Sequence, residues 1–208
     1  MKLSLLHATR GRPDRCLAVR EEWMSKAGTP KLVEHIFGID ADDDMTVEAV
    51  LPYHAVVVLR PKGCFRAYNL AAAASTGDIL IPIEDDLHPE DGWDDNIRHA
   101  MQFQWDRVAM LAVGDGQNKC IEWCVTRKFY EERGLFHDDY YGLFGDTEWR
   151  FRARLDRIPT VPAPSIIFHH NQFKPGGSAS DLIYERKQGR YLDDEMTFNK
   201  RGRAGWPE

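Results

Sequence analysis

Short apolar runs alternate with amphipathic stretches along the first 83 residues of the chain. Two stretches, residues 15–27 and 65–75, carry apolar or alanine side chains at helical spacing, and Gly28 and Gly77 follow them as stop signals. Four shorter runs are rich in β-branched or other apolar side chains, which predicts interior strands over residues 3–7, 33–39, 55–59 and 79–83. The order strand, helix, strand, strand, helix, strand favours an open, mostly parallel α/β sheet flanked by helices.

The same kind of pattern continues as far as residue 170. It predicts helices over residues 91–107, 128–133 and 145–155, strands over 108–113, 121–125 and 166–170, and a proline-rich irregular segment at 159–164. Beyond Lys174 the chain becomes polar and rich in glycine. We therefore predict one α/β domain over residues 1–175 and a polar C-terminal extension over residues 176–208, with a short helix near Leu182.

Composition and charge exclude some classes of protein. The 208 residues carry 27 basic and 33 acidic side chains, a net charge of −6, whereas a domain that wraps duplex nucleic acid usually has a basic excess. No apolar run approaches the roughly 20 residues that span a bilayer, and the apolar stretch near the N-terminus is too short for a signal peptide. The four cysteines form no CxxC pair, so we expect reduced thiols in a cytoplasmic protein without a transmembrane segment.

Three consecutive carboxylates, Glu84, Asp85 and Asp86, follow the apolar run at residues 79–83. Carboxylates beside a core are costly unless a cation or a hydrogen-bond donor pairs with them. A hard divalent ion such as Mn²⁺ or Mg²⁺ takes oxygen ligands and bridges to phosphates. Because side chains alternate along extended backbone, we expect residues 84 and 86 to face one site and residue 85 another. A solvated acidic loop is the alternative interpretation.

A series of motifs precedes these carboxylates. Residues 66–71 read RAYNLA and residues 75–80 read STGDIL, directly before the carboxylates and their strand. Their order and spacing resemble the glycosyltransferase A fold, a single Rossmann-like α/β sheet flanked by helices, and in particular its family-2-type inverting enzymes. The resemblance extends over residues 3–170. It implies a metal-dependent glycosyltransferase that takes a sugar from a nucleotide-sugar, with a UDP-sugar as the expected donor and Mn²⁺ or Mg²⁺ as the cofactor.

The resemblance also implies which residues contact the donor. The first nucleotide-binding loop corresponds to residues 8–13, and Asp40 corresponds to the acidic residue that contacts the base or the ribose. The guanidinium groups of Arg10 and Arg12 suit the diphosphate. A later pair lies on one helix face, with Arg66 expected at the donor and Asn69 at the loop behind the carboxylates. The expected donor-binding set is Ala8, Thr9, Arg10, Arg12, Asp40, Arg66, Asn69, Glu84 and Asp85.

A metal site is the next implication. Asp86 is expected to bind the metal together with a histidine from late in the chain. His169 and His170 are the candidates, and they should point to opposite sides of an extended strand, so one can be the ligand while the other packs. We slightly prefer His169, although the sequence does not separate the two.

The catalytic base is expected near residue 145. The residues Gly-Asp-Thr-Glu at 145–148 are similar to the helix start that supplies the base in the family. Asp146 and Glu148 diverge by about 200° around a helix, so only one of them can face the donor. We assign the base to Asp146, which adjoins the segment 138–145 that should face the acceptor. Glu148 is then expected to pack, or to pair with an arginine such as Arg152.

Other functions and other roles stay open at this point. A nucleotidyltransferase also uses an α/β sheet and carboxylate-bound Mg²⁺, and a sugar- or protein-binding module would need no metal. The acceptor is open among saccharides, lipid carriers, proteins and modified nucleic acid bases. Trp93, Trp123 and Trp149 could stack on a sugar, although core positions are the commoner use of tryptophan. The basic cluster at residues 200–203 is expected to belong to a solvated tail.

Overall fold

A computed structural model of the protein describes residues 1–60, 62–115, 120–170, 185 and 189–206. Its strands are β1 (Leu3–Thr9), β2 (Val33–Asp40), β3 (Ala55–Val58), β4 (Ile79–Ile83), β5 (Leu87–Pro89), β6 (Met110–Gly114), β7 (Cys120–Thr126) and β8 (Thr160–His170). Its helices are α1 (Pro13–Ser25), α2 (Asp44–Val50), α3 (Cys64–Ala74), α4 (Trp93–Met101), α5 (Arg127–Arg133), α6 (Gly145–Leu155) and α7 (Tyr191–Arg203). The predicted α/β class with a single sheet flanked by helices is confirmed.

The eight strands form one sheet in the order β3-β2-β1-β4-β7-β6-β8-β5. The first four are mutually parallel, β7 runs antiparallel to both of its neighbours, and β8 is parallel to β6. The carboxyl ends of β1, β2, β4 and β8 therefore all lie at one edge of the sheet. Ligands of open α/β sheets bind at this edge, so the topology brings Thr9, Asp40, Glu84 and His170 to the expected place.

Two apolar layers cover the two faces of the sheet. Leu3 and Leu5 of β1 belong to one layer, whereas Leu6 belongs to the other, as the alternation of side chains along a strand requires. Trp93 is buried against Trp23 in the first layer, and Trp149 is buried in the second. The suggestion that these two tryptophans stack on a sugar is therefore wrong, because their rings form part of the core.

The proline-rich segment 159–164 is not irregular, contrary to the prediction. It contributes the first half of β8, and Pro162 lies opposite Ala112 of β6. On its other side β8 is paired only near its end, where β5 joins it. A proline lacks the N–H that a second neighbour would need, so it is tolerated where a strand is paired on one side only.

Three further boundaries differ from the predicted ones. The acidic run at 40–44 leads into α2, where the Asp43 side chain accepts a hydrogen bond from the Thr46 amide at 3.4 Å and caps the helix. The three-residue strand β5 was not predicted, since its pairing with β8 comes from a distant part of the chain. The helix expected over 91–107 ends at Met101, and turns follow it.

The end of the chain contains the helix α7, Tyr191–Arg203. Leu182, where a short helix was expected, lies outside the described residues, and the domain boundary at residue 175 stays a prediction. Residues 200–203 are not simply a solvated tail, because Arg201 is buried against α6. None of the helices in the described part of the chain has the length and apolar character needed to cross a membrane.

Candidate functional site

Glu84, Asp86 and His170 form a cluster at the carboxyl edge of the sheet. The His170 Nε2 atom lies 3.4 Å from Asp86 Oδ1 and 3.9 Å from Glu84 Oε2. One ligand atom from each of the three residues lies within 4.8 Å of the other two. Residues 84 and 86 follow β4, while the pairing of Leu87 with His170 returns the end of β8 to the same loop. Two carboxylates and one imidazole thus converge from segments about 85 residues apart in the sequence.

His169 lies away from this cluster. Its Nε2 atom is 3.3 Å from Glu90 Oε1, and both side chains are about half exposed. The two histidines diverge because successive side chains of a strand point to opposite faces. Of the two candidates, the structure therefore places His170 beside Asp86, and not the slightly preferred His169.

Asp85 turns away from the cluster and into the protein, with only 3% of its side chain exposed. Its Oδ1 atom lies 2.9 Å from His7 Nε2, and its Oδ2 atom accepts a hydrogen bond from the Thr9 hydroxyl at 3.1 Å. The backbone carbonyl of Asp85 accepts a further bond from Arg15 Nε at 2.8 Å. Asp85 therefore anchors the loop that presents Glu84 and Asp86, and it does not face the site.

A second histidine lies behind this anchor. A carboxylate can only accept, so His7 donates to Asp85 from Nε2 and its Nδ1 can accept from His35 Nε2, 3.1 Å away. Burial, and then the neighbouring His7, lower the pKa of His35 well below its ordinary value. The two imidazoles thus connect β1 and β2 to the loop after β4 through a buried chain of hydrogen bonds.

The first loop and the end of β2 lie together, as the resemblance implies. The Arg10 guanidinium donates to Asp40 at 2.5 Å and to Asp42 at 2.6 and 2.7 Å. Burial raises the pKa of Asp40, although the bond from Arg10 opposes this shift. Ala8 and Thr9 are buried within β1, so their side chains are not exposed toward a ligand. Arg10 is thus held against the two aspartates in this structure.

Arg12, and Arg66 and Asn69 of α3, contact three different parts of the protein. Arg12 Nη1 lies 3.5 Å from Asp85 Oδ2. Arg66 donates to the carbonyl of Arg60 at 2.8 Å.

Asn69 does not contact the loop behind the carboxylates, contrary to the prediction. Its amide donates to the Phe136 carbonyl at 2.7 Å and accepts from the Phe136 amide at 3.0 Å. Asn69 therefore positions the segment that leads to α6.

The two carboxylates at the start of α6 have contrasting surroundings. Asp146 is exposed, and its contact is with the neighbouring Thr147 hydroxyl at 3.4 Å. Glu148 is 2% exposed and accepts two bonds from Arg201, each of 2.8 Å, and one from the Tyr140 hydroxyl at 2.5 Å. Burial tends to raise the pKa of Glu148, but the bonds from Arg201 and Tyr140 outweigh it, and the pKa lies below its ordinary value. Glu148 is thus buried and paired with an arginine, as expected. The hydrogen-bonded partner is Arg201, while the charge of Arg152, the suggested example, also contributes to lowering the pKa of Glu148.

A second residue of α7 holds the segment in front of α6. Asp194 is fully buried, and its carboxylate accepts bonds from the backbone amides of Tyr141, Gly142 and Leu143 at 2.8, 3.0 and 2.9 Å. Sequence reasoning missed both α7 residues. The signal was available, because Asp194 and Arg201 are seven residues apart, which places them on one face of a helix. The sequence pattern contained no signal that this helix packs against α6.

Known proteins resemble this chain in fold and in sequence pattern. A family model described as glycosyl transferase family 2 matches residues 14–157. No curated protein sequence matches the chain. Residues 1–349 of TarS from S. aureus superpose with a TM-score of 0.66 at 12% identity, over 81% of this chain and 59% of that one. The chain thus spans less than two thirds of that relative.

Two further solved structures are similar. The mannosyltransferase PcManGT from Pyrobaculum calidifontis, in complex with GDP-Man and Mn²⁺, gives a TM-score of 0.68 at 14% identity over 96% of this chain and 64% of that one. Glucosyl-3-phosphoglycerate synthase from Mycobacterium tuberculosis, in complex with Mn²⁺, UDP and phosphoglyceric acid, gives 0.62 at 15% identity, over 100% of this chain and 80% of that one. These likenesses show the fold, while the family match covers most of the chain. The chain belongs to glycosyl transferase family 2.

Proposed function

We propose that the protein is a glycosyltransferase that moves a sugar from a nucleotide-sugar to an acceptor hydroxyl, with a divalent metal and with inversion at the anomeric carbon. The observation that carries the proposal is the cluster of Glu84, Asp86 and His170 at the carboxyl end of β4. Its position at the sheet edge that binds ligands distinguishes it from an ordinary solvated acidic loop.

The donor set of the cluster fits Mn²⁺ or Mg²⁺. Carboxylate oxygens are the preferred ligands of both ions, and an imidazole nitrogen is better suited to Mn²⁺. We propose Asp86 and His170 as ligands, with Glu84 beside them. When bound, such an ion supplies positive charge that stabilises the leaving diphosphate. The structures of PcManGT and of glucosyl-3-phosphoglycerate synthase are both complexes with Mn²⁺, which supports the proposal of a bound metal.

A UDP-sugar is the donor that we propose. The nucleoside half would lie along the ends of β1 and β2, where Arg10 and Asp40 meet. An incoming nucleotide would compete for Arg10, whose bonds to Asp40 and Asp42 can be exchanged for bonds to phosphate. The choice of uracil is supported by the UDP complexes of TarS and of the phosphoglycerate enzyme, whereas PcManGT was studied with GDP-Man.

Asp146 is the base that we propose for the acceptor hydroxyl. It is exposed at the first turn of α6, so its carboxylate is accessible to an acceptor. Its carboxylate takes the proton of the hydroxyl as the hydroxyl oxygen bonds to the anomeric carbon. The bond from that carbon to the diphosphate breaks on the opposite side, and the nucleoside diphosphate leaves with the electron pair. Direct displacement of this kind inverts the anomeric configuration.

The test is calorimetry of UDP binding with Mn²⁺ and with EDTA, on the wild type and on two matched variants. We expect His170→Ala to lower the metal-dependent affinity by at least about tenfold, because a ligand is lost. His169→Ala, which removes the adjacent imidazole outside the cluster, should leave it unchanged. Equal UDP affinity in Mn²⁺ and EDTA would overturn the metal-dependent proposal. An effect of His169→Ala alone would reassign the ligand.

A further inference from the structure

The helix face that presents Asp146 continues with arginines. Arg150 and Arg154 follow Asp146 at intervals of four residues, so the three side chains lie along one side of α6. With a rise of about 1.5 Å per residue, Arg150 lies about 6 Å and Arg154 about 12 Å farther along the helix axis. Asp146, the carboxylate that we propose as the base, is therefore followed along the same side of α6 by two positively charged side chains.

These arginines border a cleft between α6 and the sheet, with a volume of about 510 Å³. We call it the arginine cleft, and its polar boundary consists of Trp123, Thr147, Arg150, Arg154, Arg157 and Thr160. A cleft of this size suits a small ligand or part of a larger one. Thr147, the residue after Asp146, lines one end of it. Among the described residues, no carboxylate lines the cleft.

No carboxylate of the described residues neutralises the charges of the cleft. In a chain with a net charge of −6, many arginines form ion pairs, as Arg10 does with Asp40, Arg98 with Asp94, Arg133 with Asp156 and Arg201 with Glu148. Within the part of the chain that the structure describes, none of the three cleft arginines has a carboxylate at ion-pair distance. The Arg150 guanidinium lies 4.9 Å from the centre of the Trp123 ring, which restricts its orientation. Three adjacent cations without counter-ions form a site of positive potential.

We propose that the arginine cleft binds an anionic group of the acceptor, a phosphate or a carboxylate, while the acceptor hydroxyl lies at Asp146. The guanidinium groups of Arg150 and Arg154 recognise such a group through paired N–H donors. The reacting hydroxyl and the anion are then separated by about 6 to 12 Å along the acceptor, which is the helical rise between their partners. This inference rests on the proposed function, since it takes Asp146 as the base. It selects anionic acceptors over neutral saccharides.

The experiment is a ¹H–¹⁵N NMR titration of the whole chain with sn-glycerol 3-phosphate, glycerate and glycerol as probes. We expect a charged probe to bind at least about tenfold more tightly than glycerol, because the arginines make charge-assisted hydrogen bonds. The double variant Arg150→Gln/Arg154→Gln should lose this preference. The double variant Arg107→Gln/Arg203→Gln changes the net charge equally at exposed positions outside the cleft, and should retain it.

Each outcome of the titration has a defined meaning. Preference for glycerol 3-phosphate identifies phosphate as the anion, and preference for glycerate identifies carboxylate. The inference is overturned if neither anion binds better than glycerol, or if the cleft double variant binds the anions as the wild type does. UDP binding with Mn²⁺ and with EDTA is measured on the same samples. Metal-dependent UDP binding with a failed titration rejects only the acceptor site, whereas metal-independent UDP binding rejects the proposed function.

Discussion

Two regions of this molecule each contain a pair of nearby carboxylates with the same arrangement. One carboxylate of the pair is buried and the other is not. After β4, Asp85 is buried and hydrogen-bonded while Asp86 is presented beside His170. In α6, Glu148 is buried and hydrogen-bonded while Asp146 is exposed. In both pairs, hydrogen bonds with neighbouring side chains hold one carboxylate inside the protein, and the other carboxylate is the one that we propose for chemistry.

The two pairs differ in what holds the buried member. Asp85 is held by His7 and Thr9 of the adjacent strand β1, so its partners come with the sheet itself. Glu148 is held by Arg201 of α7, more than 50 residues farther along the chain. The proposed donor side of the site is therefore built into the parallel sheet, whereas the proposed acceptor side depends on the docking of the last helix.

The comparison first predicts that the less buried member of each pair acts in chemistry and not in folding. Asp146→Asn should lower kcat by about 10²- to 10⁴-fold, which is the usual contribution of a general base. The free energy of unfolding should change by less than about 0.5 kcal/mol, since the side chain is exposed. Turnover of UDP-sugar measures kcat, and urea unfolding measures the free energy of unfolding. UDP affinity is measured on the same variant.

A matched control for Asp146→Asn is Asp106→Asn, which removes an exposed carboxylate outside the segment that is expected to face the acceptor. It should leave kcat within about twofold of the wild type, as expected for a surface position without a chemical role. Full activity of Asp146→Asn would show that the base lies elsewhere. Loss of UDP affinity in the same variant would indicate a role in binding the donor.

The next prediction concerns the buried members, whose replacement should affect stability unequally. Glu148→Gln removes the negative charge that pairs with the buried Arg201, and breaking a buried pair costs about 3 to 5 kcal/mol of unfolding free energy. Asp85→Asn should cost less, about 1 to 3 kcal/mol, because its amide oxygen still accepts from a neighbour. Urea unfolding followed by circular dichroism compares the two variants.

The double variant Glu148→Met/Arg201→Met is the control for Glu148→Gln. It removes both charges together, and well-packed apolar replacements of a buried pair are often tolerated. It should therefore be more stable than Glu148→Gln. A double variant no more stable than the single one would mean that the pair is not the reason for the loss.

The smallest expected effect is a difference in acid sensitivity. The pKa of Glu148 in the folded protein lies below its ordinary value of 4.5, because the bonds from Arg201 and Tyr140 outweigh burial. Its stabilising contribution is thus fully present above about pH 4.5 and is lost as the pH falls through the folded pKa. Below pH 4.5 the unfolding free energy of the wild type should fall more steeply than that of Glu148→Met/Arg201→Met, by at most about 1.4 kcal/mol per pH unit. Urea unfolding at roughly one-unit steps between pH 3 and pH 7 gives the pH dependence of the unfolding free energy for both proteins. The same dependence in the wild type and in the double variant would contradict the lowered pKa of Glu148.

The sequence predicted the parts of the site that depend on local pattern. The apolar run 79–83 and the helix 145–155 occur with the predicted bounds. The alternation at residues 84–86 indicated that Asp85 would turn away from its neighbours, and the 200° divergence in α6 indicated that Asp146 and Glu148 would separate. Side-chain period depends only on backbone geometry, so it can be read from the chain without knowledge of its neighbours.

The sequence by itself determined the α/β class, the carboxylates at the strand end and the family to which the motifs are similar. The tertiary structure decided which histidine meets Asp86, what Asn69 contacts, and that Arg201 pairs with Glu148. Local periodicity arises within a few residues, so the sequence specifies it. These partners depend on strand register and on where a distant helix docks, which many packing contacts determine together.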